Sequence, residues 1–313
     1  MTSLRRLYAN RWIRYALTLV LLGLVLYKVN LLSVMQAAGS ARPQYLALAL
    51  ALTAPFLYCK VLRWHLMLDS AGVQATFSEA ALSVIGGMGL ALVTPARLGE
   101  LVRGAYLRDP QKLKIGGLVM IDKGLDVLVL TCLSVAGAFA ILGPVAGALF
   151  TAAAVAGFAA VFDPTRVHAG LRRLSSRLPM RAKLERIWSS LESLTPRSTA
   201  VFLVLTLLSF VIVLIQFGII LLSWHSWSPD IVLFTFPIVI LTNVLPVTIG
   251  GLGVREATAA VLLGHYGVPS SDAVLAALLM FAINTAAPGL VGALVLPLTS
   301  RSAARAPRLV DRS

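Results

Sequence analysis

The chain has 313 residues, 58% of them hydrophobic and only 13% charged, where an average soluble domain carries about 25% charged residues. Apolar runs such as 201–222 and 273–298 match the roughly 20 residues that a helix needs to cross a bilayer core, which rules against a water-soluble fold. The net charge of +14 lies outside the apolar runs, at the N-terminus, between 163 and 198 and in the tail, a distribution suited to cytoplasmic loops and anionic headgroups rather than to nucleic acid.

Taken in chain order, Arg5, Arg6, Arg11 and Arg14 precede an apolar run that ends near Tyr27. The small residues Ala38 to Ala41 come too late for signal cleavage, so 12–29 reads as a retained first span. A second span follows at 44–63. The apolar stretch 78–93 then stops at a break, Thr94-Pro95-Ala96-Arg97-Leu98-Gly99-Glu100-Leu101-Val102-Arg103. Spans at 115–141 and 145–161 come next. Between 166 and 194, leucines, Ile187 and Trp188 recur at helical spacing opposite arginines, a pattern that lies on a membrane surface. A span at 199–224 precedes a second short stretch, 231–247. Its break reads Leu245-Pro246-Val247-Thr248-Ile249-Gly250-Gly251-Leu252-Gly253-Val254-Arg255-Glu256, and a last span covers 273–298.

Charge asymmetry sets the orientation. The first 14 residues hold four Arg and no acid, 163–197 holds eight Lys/Arg against three acids, and 301–313 holds four Arg against Asp311. All three segments are expected in the cytoplasm. The loops at Gly143-Pro144, His225–Asp230 and Gly264–Asp272 carry no Lys or Arg and are expected outside. Parity is kept only if 78–108 returns to the cytoplasm as a re-entrant hairpin. By the same logic 231–264 enters from outside, either as a hairpin or with 249–268 continuing as a full helix. The expected fold is therefore an all-α polytopic membrane protein with six full spans and two broken-helix hairpins. Residues 1–141 and 142–313 form two units of three crossings each, inverted relative to one another, an arrangement found in transporters with a site at the repeat interface.

Hairpins inside a bilayer survive only when buried in protein or lining a wet cavity. Thr94 suits an N-cap and Pro95 a first helical position. Gly99, Pro246, Gly250, Gly251 and Gly253 would shape the breaks. Helix N-termini turned toward the midplane favour an anion, and Arg97, Arg103 and Arg255 add donors suited to phosphate. Glu100 and Glu256 would orient those arginines or take up a proton. The competing reading has Arg97, Glu100 and Arg103 satisfying one another along a helix, and Arg255 and Glu256 as boundary residues. Two similar motifs at matching breaks, at a depth where charge is costly, favour the functional one. Asp122 and Asp126 share a helix face. They either pair with the hairpin arginines or relay protons, or else form an end cluster with a snorkelling Lys123. Gln216 and Asn284, in mid-span, read as helix–helix hydrogen bonds. His65, His168, His225 and His265 have no ligand spacing, and Cys59 and Cys132 read as small buried hydrophobes. No metal or cofactor is expected.

Three pieces, Pro95-x-Arg97-x-Gly99-Glu100-x-x-Arg103, Asp122-Lys123-x-x-Asp126 and Gly250-Gly251-x-Gly253-Val254-Arg255-Glu256, resemble the lysylphosphatidylglycerol synthase transmembrane-domain family, also described as flippase-like membrane proteins. The family often has Glu-Arg where this chain has Asp122-Lys123. Members that make lysyl-lipid carry a separate soluble aminoacyltransferase domain, and no such stretch is present here. The resemblance thus implies the lipid-handling half alone.

The expected function is non-enzymatic: transport of a lipid with an anionic or phosphate-bearing headgroup, a phospholipid or a polyprenyl-phosphate-linked sugar, across the cytoplasmic membrane. Arg97, Arg103 and Arg255 would hold the headgroup. One alternative is a non-catalytic accessory of a glycosyltransferase or lipid synthase. The other is a membrane-embedded headgroup transferase with a divalent metal on Asp122 and Asp126.

Overall fold

The structure, a computed structural model, describes residues 31–93, 100, 103–104, 107, 112–162, 195–224, 228–244 and 251–292. The described residues form helices α1 (Leu31–Ser40), α2 (Pro43–Ala51), α3 (Thr53–Ser70), α4 (Phe77–Val93) and α5 (Lys112–Gly137) in the first half. They continue with α6 (Pro144–Phe162), α7 (Pro196–Leu221), α8 (Pro229–Leu241), α9 (Val254–Gly264) and α10 (Ser270–Phe281).

Among the described residues, five stretches are long and apolar enough to cross a membrane: Pro43–Ser70, Lys114–Leu142, Pro144–Phe162, Pro196–Leu221 and Ser270–Gly292. They coincide with the expected spans from 44–63 to 273–298; the expected span at 12–29 lies outside the described residues. The second span runs seven residues beyond the expected end at 63, a difference that matters for the site. Phe77–Ala91 and Pro229–Val244 are apolar but shorter. At about 1.5 Å per residue neither reaches across a core about 30 Å thick.

Local chemistry explains the helix boundaries. Pro43, Pro144, Pro196 and Pro229 each occupy the start of a helix, where the missing N–H is no loss. Thr195 caps α7 by accepting from the Ser198 N–H, and the Ser198 hydroxyl accepts from the Thr195 N–H. Two spans contain a π-helical turn: Ala138–Leu142 closes the span that begins with α5, and Ala282–Ala286 lies inside the last span, which continues as helix to Gly292. Such turns widen a helix and recur at functional sites.

Packing follows a reciprocal pattern. The middle span of one half, α3, lies on the middle span of the other, α7. α3 also packs on α4, and α7 on α8. Across the halves, α8 packs on α5, and α4 packs on the π turn of the last span. In both crossings a glycine admits a carbonyl: a Cβ on Gly137 would overlap the Phe234 carbonyl, and one on Gly292 would overlap that of Ile85. Close backbone approach at small residues is how membrane helices gain contact energy when the surrounding lipid is as apolar as their side chains. One buried cluster surrounds Trp64, Met67 and Ile115; a second surrounds Phe217, Phe236 and Ala277, with the Phe217 and Phe236 rings stacked at 3.6 Å. Outward residues such as Val145, Leu149 and Val261 leave an apolar surface for lipid chains.

The α5–α8 crossing makes a clean test. Gly137→Ala should lower the thermal stability of the detergent-purified protein by about 1–3 kcal/mol, the usual range for overpacking. Gly124→Ala, on the same helix but with open space around its Cβ, should be neutral or stabilising. Equal stability of the two variants would refute the close approach.

Candidate headgroup site

The site is built on three helices and the two broken segments. Asp122 and Asp126 stand one turn apart on α5. Lys60 and Arg63, also one turn apart, approach them from α3. The Arg63 guanidinium spans both carboxylates, at 2.5 Å from Asp122 and 2.8 Å from Asp126, and also donates to the Thr206 hydroxyl of α7. Its fork is suited to bridging two acids in this way. Arg103 meets the other Asp122 oxygen at 2.8 Å while its guanidinium lies 3.8 Å over the Trp64 ring. Its backbone carbonyl accepts from Ser83 at 2.9 Å. Lys60 lies 3.3 Å and Lys123 3.6 Å from Asp126, and Lys123 also pairs with Glu100. Four cations thus face three carboxylates among the described residues of this network, a surplus of one positive charge.

The second break contributes its own pair. Gly251 and Gly253 adopt φ of +76° and +88°, a region that costs a residue bearing a Cβ roughly 1–2 kcal/mol. A Cβ on Gly251 would also overlap Asn243 Oδ1. The turn they make launches α9, where Glu256 accepts from the Gly253 N–H at 2.6 Å and pairs with Arg255. Both charged side chains are buried, and the Arg255 guanidinium lies 4.9 Å from the Phe281 ring centre.

Members of both groups of charges line one cavity of about 290 Å³. Lys60, Glu100, Lys123 and Asp126 come to it from the first half, and Arg255, Asn243 and Asn284 from the second. Phe56, Phe210, Phe236 and Met280 supply apolar wall. Gln216 and Asn284 are hydrogen-bonded to each other, with the Asn284 amide donating to Gln216 Oε1 at 2.9 Å and the Gln216 amide reaching the Ala49 carbonyl at 2.8 Å. These are the helix–helix bonds expected of mid-span amides, and Asn284 in addition faces the cavity.

Of the residues singled out in the sequence, Glu100, Asp126 and Arg255 therefore converge on the cavity. Asp122 and Arg103 belong to the same ion network but do not line the cavity. Glu256, Gly251 and Gly253 shape the turn that carries Arg255. Thr94, Pro95, Arg97, Gly99, Pro246 and Gly250 lie outside the described residues. Asp122 and Asp126 pair with an arginine of the first break and with two cations that sequence reasoning passed over, Lys60 and Arg63. The signal for those two was present, because a lysine and an arginine three residues apart in an apolar run already share a helix face.

Described residues whose regular structure is all helical, with five stretches long and apolar enough to cross a membrane and a charge-lined cavity among them, fit a membrane protein that handles lipids. A comparison with curated proteins returns no match. The family described as the lysylphosphatidylglycerol synthase TM region matches residues 11–292, nearly the whole chain, and to that family the protein belongs.

Proposed function

We propose that the protein is a non-enzymatic lipid transporter of the cytoplasmic membrane, moving a lipid with an anionic or phosphate-bearing headgroup between leaflets. The observation that carries this reading is the cavity whose described wall brings Lys60, Lys123 and Arg255 together with only two carboxylates, Glu100 and Asp126, amid apolar side chains. A surplus of positive charge at such a place is costly unless an anion enters it. At about 290 Å³ the cavity has room for a headgroup, not a whole lipid. The acyl chains would stay in the bilayer while the headgroup crosses. A lipid synthase or glycosyltransferase would supply the lipid.

In this reading the two halves, 1–141 and 142–313, are inverted repeats whose broken segments are re-entrant hairpins. The reciprocal packing supports it: α3 on α7, and each short helix on the last span of the opposite half. A two-fold axis in the membrane plane would generate that pattern and would bring both breaks to one cavity. The metal-dependent transferase gains no support, since Asp122 and Asp126 are engaged by Arg63, Arg103 and Lys60.

The transport reading is tested in proteoliposomes containing a tail-labelled phosphatidylglycerol, with dithionite added outside. Fluorescence should fall well below the half that remains in protein-free vesicles. A plateau at one half, with the protein reconstituted and folded, would overturn transport and favour the accessory role. Orientation is tested separately with single cysteines at Gly170, Ser270 and Arg305. A membrane-impermeant thiol reagent applied to intact cells should label the Ser270→Cys variant alone. Labelling at 170 would remove both the inverted repeat and the assigned sidedness.

A further inference from the structure

Asn243 lies in the 3₁₀ turn Thr242–Val244, between α8 and the second break, and its side chain lines the cavity. Its Oδ1 atom is buried and accepts no hydrogen bond within the described protein. A buried acceptor left without a donor is unfavourable, so its presence calls for a reason. The atom is also held in place. Gly251 packs so closely against it that any larger residue would collide, and the Gly251 carbonyl is itself fixed by the Arg255 N–H at 3.1 Å. The orphan acceptor therefore belongs to the same turn that presents Arg255. A second amide lines the same cavity. Asn284 gives one N–H to Gln216 at 2.9 Å, and beyond this its amide nitrogen meets, among the described residues, only the Met280 sulfur, at 4.0 Å, a weak acceptor.

Resting on the transport reading above, we infer that Asn243 and Asn284 form a neutral subsite that reads hydroxyl groups on the headgroup. The substrate class is then a phosphodiester lipid whose headgroup carries free hydroxyls, a polyol or sugar. A hydroxyl both donates and accepts, so it satisfies an orphan carbonyl and an under-used amide together. An ammonium would also donate, but the described wall already sets three cations, Lys60, Lys123 and Arg255, against two carboxylates, Glu100 and Asp126, so a further cation is disfavoured there. The phosphate is drawn to the cations while the hydroxyl-bearing end meets the amides. A site built around a buried acceptor rejects an analogue that lacks the donor, because the acceptor is again left unpaired.

Phosphatidylglycerol and phosphatidyl-n-propanol test this. They share charge, phosphodiester and a three-carbon headgroup, and differ by two hydroxyls. In competition for the detergent-purified protein, read by native mass spectrometry, the wild type should bind phosphatidylglycerol about ten-fold tighter, the effect of roughly 1.4 kcal/mol. Asn243→Ala should bring the two lipids to equal binding, with affinity for the propanol lipid unchanged. Asn243→Leu, which fills the space, should do the same. Equal binding of the two lipids by the wild type would overturn the subsite and leave the transport reading standing. So would a preference that survives both substitutions. Failure of the wild type to bind either lipid would overturn both readings.

Discussion

Replacing Arg63 with methionine is expected to destabilise the protein more than any other single substitution in the network, by about 3–5 kcal/mol. The residue is 1% exposed and its side chain holds Asp122, Asp126 and Thr206 at once, tying α3 to α5 and α7. Methionine matches its length but leaves two buried carboxylates with fewer cations. Thermal unfolding in detergent reads the loss. Arg63→Lys should recover only part, since one ammonium cannot fork between two acids. Pairing Arg63→Met with Asp126→Asn should cost less than the sum of the two single changes, because the charge that Arg63 neutralises is then gone. A stable Arg63→Met variant would mean that these ion pairs contribute little to the fold.

Arg63 also marks where the sequence was legible and where it was not. Five spans were readable because each is a long apolar run bounded by proline, glycine or charge, and these residues act locally. The two short helices were readable as interruptions for the same reason. The end of the second span was not. Lys60 and Arg63 look like a boundary, since charges usually flank a membrane helix. The helix runs on to Ser70 because Arg63 finds Asp122 and Asp126 on α5, about 60 residues away in the chain. No local rule reports a partner that distant. The same limit applies to Arg103. Its place beside a break suggested a ligand role, but only tertiary packing puts it over Trp64 and against Asp122, outside the cavity wall. Gly251 and Gly253 were legible because few residues other than glycine tolerate the positive φ of so tight a turn. Asn243 gave no signal, since a single amide beside a proline-containing break has no periodicity.

The second large effect concerns binding. Lys60→Gln, Lys123→Gln and Arg255→Gln should each weaken binding of phosphatidylglycerol by roughly ten- to a hundred-fold, the usual value of a hydrogen bond to a charged group. Stability should change far less than for Arg63, because the network is redundant on the cavity side. Asp126 keeps Arg63 when either lysine is lost; Arg255→Gln costs more than the lysine variants, since the buried Glu256 then keeps the Gly253 N–H but loses its arginine. Arg103→Gln should behave in the opposite way, lowering stability while leaving binding close to normal in whatever protein remains folded, since Arg103 sits behind the wall and supports Asp122. Arg255→Lys should restore binding only in part, because it keeps the charge and loses the fork. Melting temperature and lipid affinity measured on the same detergent preparations separate the two classes. If the three cavity variants bind the lipid as the wild type does, the cations serve the fold alone and the cavity is not the headgroup site. If Arg103→Gln abolishes binding while melting normally, the headgroup reaches deeper than the cavity wall, and Arg103 rather than Lys123 is its partner.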